Sequence, residues 1–247
     1  MIYLIALLGG ILAGIINTLA GNGSTITLYI LMDVFGLPPN IANASNRLGV
    51  VSQSLGSLPQ FYHAKQLNLE RSWGFIGWMF IGAVFGIFLA LWVDDSQFKA
   101  VFKYMMFVML GVILVRPERW LRNSDLNFQL PFWLRAPIGL LLGFYGGFIQ
   151  MGMGIFLLMF LVLGAKYSLQ ESNMVKIVST AAYTLVAVLI FAYYGWIDWW
   201  AGGTLAIGQT IGGYLGAFFA TRYQNANIWV YRLLIVCVIW ALVRMFV

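Results

Sequence analysis

The chain has 247 residues, of which 62% are hydrophobic and only 9% charged. Soluble domains carry about 25% charged residues, so the composition excludes an ordinary soluble enzyme or binding domain. The net charge of +6 does not point to nucleic acid, because the basic residues form no patch on a polar domain and fall mostly in short loops between apolar runs.

In chain order, the first apolar run covers 2–20. No basic region precedes it, and no small-residue cleavage site leads into a polar mature chain, so it reads as a retained helix rather than a signal peptide. Further runs cover 25–36, 40–62, 73–93, 98–115, 132–149, 153–165, 172–194, 199–221 and 227–246. A spanning helix needs about 20 apolar residues, which leaves room for roughly eight. The runs 25–36 and 153–165 are too short to cross upright. Each follows a glycine-containing break, Gly21 to Ser24 in one case and Gly152 to Gly154 in the other. The long polar stretch, 116–131, reads as a cytoplasmic connector between a first transmembrane repeat, 1–115, and a second, 132–247.

The repeat reading rests on order and spacing. Residues 9–23 (GGILAGIINTLAGNG) align with 138–152 (IGLLLGFYGGFIQMG) at an offset that also sets Arg47 on Lys176. If each broken first unit is a hairpin, the two repeats are inverted. Basic residues then divide eight against three between the faces, and parallel repeats give seven against four. Positive-inside favours the inverted arrangement, with both termini external. The expected fold is therefore all-α: a polytopic transmembrane helix bundle of two homologous, inverted repeats, each with a broken first helix or hairpin.

Non-helical backbone at membrane depth survives only inside protein or beside a water-filled cavity. Gly21, Asn22, Gly23 and Ser24 permit a tight turn, and the helix from Thr25 would aim its free N–H groups at the break. Gly152, Met153 and Gly154, preceded by Gln150, offer a second such place. Arg47 and Lys176 each lie within an apolar run. A basic side chain at depth costs about 2.5–3.5 kcal/mol on insertion scales, so it needs an interior partner. The eight acids sit mostly at run ends, which leaves a bound anion as counter-charge. Snorkelling to an interface is the competing reading, and for Lys176 the nearby Glu171 supports it. Asn17, Asn46, Gln53 and Thr180 surround these points and could donate to oxyanion oxygens, or make ordinary interhelical bonds. The single cysteine, Cys237, excludes an intramolecular disulfide or a cysteine metal cluster. There is no HExxH, no Ser–His–Asp order and no P-loop. No cofactor, metal or catalytic site is expected, and an ATP-driven pump is excluded.

Residues 13–27 (AGIINTLAGNGSTIT), 36–39 (GLPP) leading to 44–48 (ASNRL), the glycines from Gly143 to Gly152, and 208–216 (GQTIGGYLG) resemble the TauE/SafE, or sulfite exporter (TSUP), family over nearly the whole chain. The resemblance implies a transporter of small sulfur anions such as sulfite, sulfoacetate or another organosulfonate. Asn22 and Ser24 interrupt a break that the family usually fills with glycine, and Met151 and Met153 are bulky in the second. These departures leave the particular anion open. The leading expectation is a secondary transporter, an exporter by the family's character, working by alternating access in a multi-pass bacterial inner membrane. Its partners would be the anion and the bilayer, with a homo-oligomer allowed. A carrier of another oxyanion or a carboxylate, an importer, and a non-transporting membrane scaffold are the alternatives.

Overall fold

The computed structural model describes residues 1–63, 69–94, 96–97, 104, 125, 128, 130–223, 229, 232 and 236. All but Tyr104 of the run 98–115, all but Trp229, Arg232 and Val236 of the run 227–246, most of the 116–131 connector, and Cys237 lie outside the described residues.

Every described regular element is helical. The first run forms α1, Ile2–Ala20. It stops where Gly21 turns left-handed (φ 81°), a conformation cheap only for glycine, and closes its N–H on the carbonyls of Ile16 and Asn17. The chain turns through Asn22 and Gly23 into α2, Ser24–Tyr29, which widens into a π-helical turn over Ile30–Val34. α3 covers Pro39–His63 and α4 covers Trp73–Ala90. Proline opens α3, where its missing N–H costs nothing.

The same order returns later. α5, Phe132–Phe148, breaks before α6, Met153–Met159, which widens into a π-turn over Phe160–Gly164. α7, Leu169–Tyr193, starts with a capping box between Ser168 and Glu171. α8, Trp199–Arg222, starts on the Asp198 carboxylate, which accepts from the N–H groups of Trp200 and Ala201.

Ring contacts fix the directions. Tyr3, at the start of α1, packs edge-on against Phe35, just past the first π-turn, with centroids 5.6 Å apart. α1 and α2 therefore form a hairpin that returns to the end of the bundle where it began. At the opposite end, Phe75 of α4 stacks on Phe160 at 5.2 Å, and Phe132 of α5 meets Trp78 at 5.9 Å. The α5–α6 hairpin thus enters from the far end. α3 and α7 cross between the ends in opposite senses.

The halves are interlocked rather than stacked as blocks. α8 runs along α1 and α3, and α4 runs along α5 and α7. Small residues allow this. A Cβ on Gly143 would strike the Met79 carbonyl of α4, and one on Gly212 would strike the Ile11 carbonyl of α1.

The outside is apolar, and polar and charged side chains are buried among the apolar core. Leu4, Leu8 and Leu12 of α1, Leu185 and Leu189 of α7, and Ile207 and Ile211 of α8 are exposed, while Asn43, Ser45, Asn46 and Arg47 are buried. Exposed Trp92, Trp199 and Trp200 mark one end, and Trp73 and Trp133 mark the other, as interfacial belts do. Trp196, beside Trp199 and Trp200 in the chain, is half-buried and stacks on Phe191 at 6.1 Å.

Candidate functional site

The two hairpin tips meet inside the bundle. A Cβ on Gly21 would lie 2.6 Å from the backbone of Gly154, and one on Gly154 would strike Gly21. Only glycine at both positions lets the breaks touch. The second break is strained as well as small, since Gln150 (φ 65°) and Gly152 (φ 71°) are both left-handed.

Each tip is tied down by a basic residue from the other half. Arg47, on α3, is fully buried. Its Nη1 donates to the Gly146 carbonyl and to Gln150 Oε1, both at 2.7 Å. Its Nη2 donates to the carbonyls of Gly147 at 2.7 Å and Phe148 at 3.3 Å. Lys176, on α7, donates from Nζ to the carbonyls of Asn17 and Thr18, at 2.9 and 2.8 Å, and to Asn173 Oδ1 at 2.8 Å. The last carbonyls of a helix have no intrahelical partner, and the helix dipole places negative charge there. A cation at each such end satisfies both needs. Neither side chain snorkels. Glu171 stays in the cap of α7, bonded to Ser168.

The remaining predicted residues fall into three groups. Asn22 and Asn46 flank the first turn of α2. Asn22 Oδ1 accepts from Thr25 Oγ1 at 2.7 Å, and Asn46 Oδ1 accepts from Thr27 Oγ1 at 2.6 Å. Both amide nitrogens, like Arg47 Nε, are buried with no hydrogen-bond partner in the protein. Asn17 and Gln53 form a second group and bind each other at 2.6 Å. Gln53 also donates to Thr18 Oγ1, which pairs with Ser57. This ladder ties α1 to α3. A third group only packs or bonds locally. Gly23 sits against Ala13 and Asn17 of α1. Ser24 offers its carbonyl to Thr27. Met153 is buried in an apolar cluster with Tyr183. Thr180 bonds back to the Lys176 carbonyl.

Reading the sequence missed Thr27, which orients Asn46, and Tyr145, whose hydroxyl donates to the Met151 carbonyl at 2.8 Å and shapes the second break. Thr27 follows Ser24 by three residues, an ordinary helical spacing with no signal in it. Tyr145 sits among interface-type aromatics in the sequence, and only its burial distinguishes it.

Electrostatically, four helix ends point inward: two carbonyl ends, of α1 and α5, and two N–H ends, of α2 and α6. Their partial charges, about half a unit each, cancel in pairs. Two basic side chains remain. Asp33, Asp94 and Asp198 sit at one end of the bundle, and Glu70, Asp125 and Glu171 at the other. Unpaired N–H donors beside uncompensated basic groups form a surround suited to an oxyanion. Among the described residues no group of His, Cys, Asp and Glu could hold a metal ion.

The family described as "Sulfite exporter TauE/SafE" matches residues 6–245. A "Probable membrane transporter protein" of Haemophilus influenzae is 28% identical, over 84% of this chain and 81% of that one. The "Probable membrane transporter protein YfcA" of Escherichia coli K12 is 26% identical, over 83% and 76%. The "Probable membrane transporter protein ORF9" of a Sinorhizobium species is 25% identical, over 87% and 80%. No solved structure matches. An all-helical bundle with an apolar exterior, polar side chains buried within it and this match over nearly its whole length belongs to the TauE/SafE family, and the protein is a membrane transporter rather than an enzyme.

Proposed function

We propose that the protein carries a small sulfur oxyanion, such as sulfite, sulfoacetate or another organosulfonate, outward across the bacterial inner membrane. The observation that carries this reading is the pair of buried basic residues, Arg47 and Lys176, with no acid beside them among the described residues and with the buried amide nitrogens of Asn22 and Asn46 left without a partner in the protein. In this reading the two halves are inverted repeats, and the anion binds where their breaks meet. Alternating access follows from the crossed ties. The Arg47 tie and the Lys176 tie each join an element of one half to the broken helix of the other, so rocking the halves would strain one tie and then the other. The recurring element order and the opposite entry of the two hairpins support the inverted arrangement. Arg71, Arg135, Lys166 and Arg222 all lie at the far end, while no Lys or Arg among the described residues marks the near helix ends. That bias supports a cytoplasmic far end.

Carboxylates accept the same donors, so ligand choice is the test. Purified protein is titrated by thermal shift with sulfite, thiosulfate, sulfoacetate, taurine, acetate and succinate, and flux of the best ligand is measured in proteoliposomes. A sulfur oxyanion should stabilise saturably and move. Stabilisation by carboxylates alone would replace the substrate class. Absence of any binding or flux would favour the scaffold reading.

A further inference from the structure

We propose a second oxyanion site, independent of the central one, in the cleft at the far end of the bundle. The cleft holds about 310 Å³, at the lower edge of small-molecule pockets, and is framed by the α3–α4 turn, the first turn of α5 and the link between α6 and α7. Two guanidinium groups from different halves line it, Arg71 and Arg135, with Glu70 the one acid in its wall. One carboxylate against two guanidinium groups leaves the cleft positive.

The two arginines differ in their commitments. Arg71 is a fixed part of the wall. Its Nη2 donates to the carbonyls of Phe128 and Ala165, both at 2.9 Å, and its guanidinium lies 4.0 Å over the ring of Tyr167. Tyr167 is held in turn by Ser72 Oγ at 3.1 Å and by the Arg71 carbonyl. Arg135 lies across the first turn of α4, where the missing side chain of Gly74 makes room for it; a Cβ there would sit 3.3 Å from its Cζ. Its Nε is buried without a hydrogen-bond partner. A planar fork beside a second, immobilised guanidinium is the geometry that grips a phosphate, sulfite or sulfonate group. Phe75, Phe160 and Leu161 line the rest and would face an apolar substituent.

Two sources could supply that oxyanion: the headgroup of an anionic phospholipid in the adjoining leaflet, or a free anion on its way to or from the interior. The test uses the full chain in neutral-lipid nanodiscs. Thermal stabilisation is read against inorganic phosphate and sulfite, and separately against phosphatidylglycerol replacing phosphatidylcholine. The variants are Arg135→Gln, Arg135→Lys, and Asn46→Ala as a control at the central site. Arg135→Gln should raise the half-saturating phosphate or phosphatidylglycerol level about ten-fold or more, with Arg135→Lys intermediate, while Asn46→Ala keeps that response and weakens only the sulfite response of the central site. Response to the free anions identifies a free oxyanion as the source. Response to phosphatidylglycerol alone identifies a headgroup. Wild-type response in Arg135→Gln overturns the site. If Arg135→Gln does not fold, wild-type response in Arg135→Lys does the same. A loss of the phosphate or phosphatidylglycerol response confined to Asn46→Ala would mean that binding is central and this cleft is not a site.

Discussion

Arg47 holds more structure than any other single side chain in the interior. Its two terminal nitrogens serve three helix-end carbonyls and the Gln150 side chain, and the tie joins α3 to the break in the other half. Arg47→Gln therefore leaves several buried acceptors unpaired, each costing about 1–3 kcal/mol. The substitution should lower the melting temperature markedly and reduce folded yield. The helix-end contacts make Arg47 a structural residue as well as a candidate anion ligand. Arg47→Lys keeps the charge but reaches fewer acceptors, and should sit between. Lys176→Gln should cost less, because its Nζ serves two carbonyls and one amide. Asn46 is the cleaner probe of the central site. Its amide nitrogen bonds nothing in the protein, and Thr27 keeps the Ser24 carbonyl as partner when Asn46 is removed. Asn46→Ala should hold stability within about 1 kcal/mol while weakening the central anion about ten-fold. Equal anion affinity in wild type and Asn46→Ala would remove Asn46 from the site.

At the level of elements, the decisive contacts are between backbones. α4 and α5 approach so closely that side chains are excluded at Gly82, Gly86, Gly143 and Gly147. Without a hydrophobic drive between helices in lipid, such close packing is the main source of association. Gly143→Leu should separate this pair and abolish monodisperse protein on size exclusion. The same change at Gly77, where an added Cβ meets nothing within 4 Å, should be tolerated. A Gly143→Leu protein that purified and melted like wild type would show that the α4–α5 contact is not needed for assembly.

For the whole molecule, the uneven placement of Lys and Arg among the described residues makes orientation testable. The far end carries Arg71, Arg135, Lys166 and Arg222, and the near end carries Asp33, Asp94 and Asp198. In a Cys237→Ser background, Ser96→Cys should react with an impermeant maleimide added to intact cells. Asn123→Cys, in the connector, should react only after the cells are opened. The opposite labelling pattern would invert the molecule and exchange the assignment of inward and outward faces.

The sequence by itself determined that the chain is a helical membrane protein, where its helices break, and which side chains are polar at depth. These properties are local: hydropathy over about 20 residues, glycine where the backbone turns left-handed, and an ionisable residue within an apolar run. Gly21, Gly152, Arg47 and Lys176 stand out on those grounds alone. Tertiary structure decided what those residues touch. Lys176 is tied to the carbonyls of Asn17 and Thr18, more than 150 positions away, a contact that no sequence spacing reveals. Likewise Asn17 and Gln53 are bonded to each other, and Thr180 to its own helix, contacts that residue type alone does not reveal. Backbone carbonyls carry no sequence signature, since every residue has one. Which of them lacks a partner depends on where a helix ends, and which cation reaches it depends on how the two halves interlock.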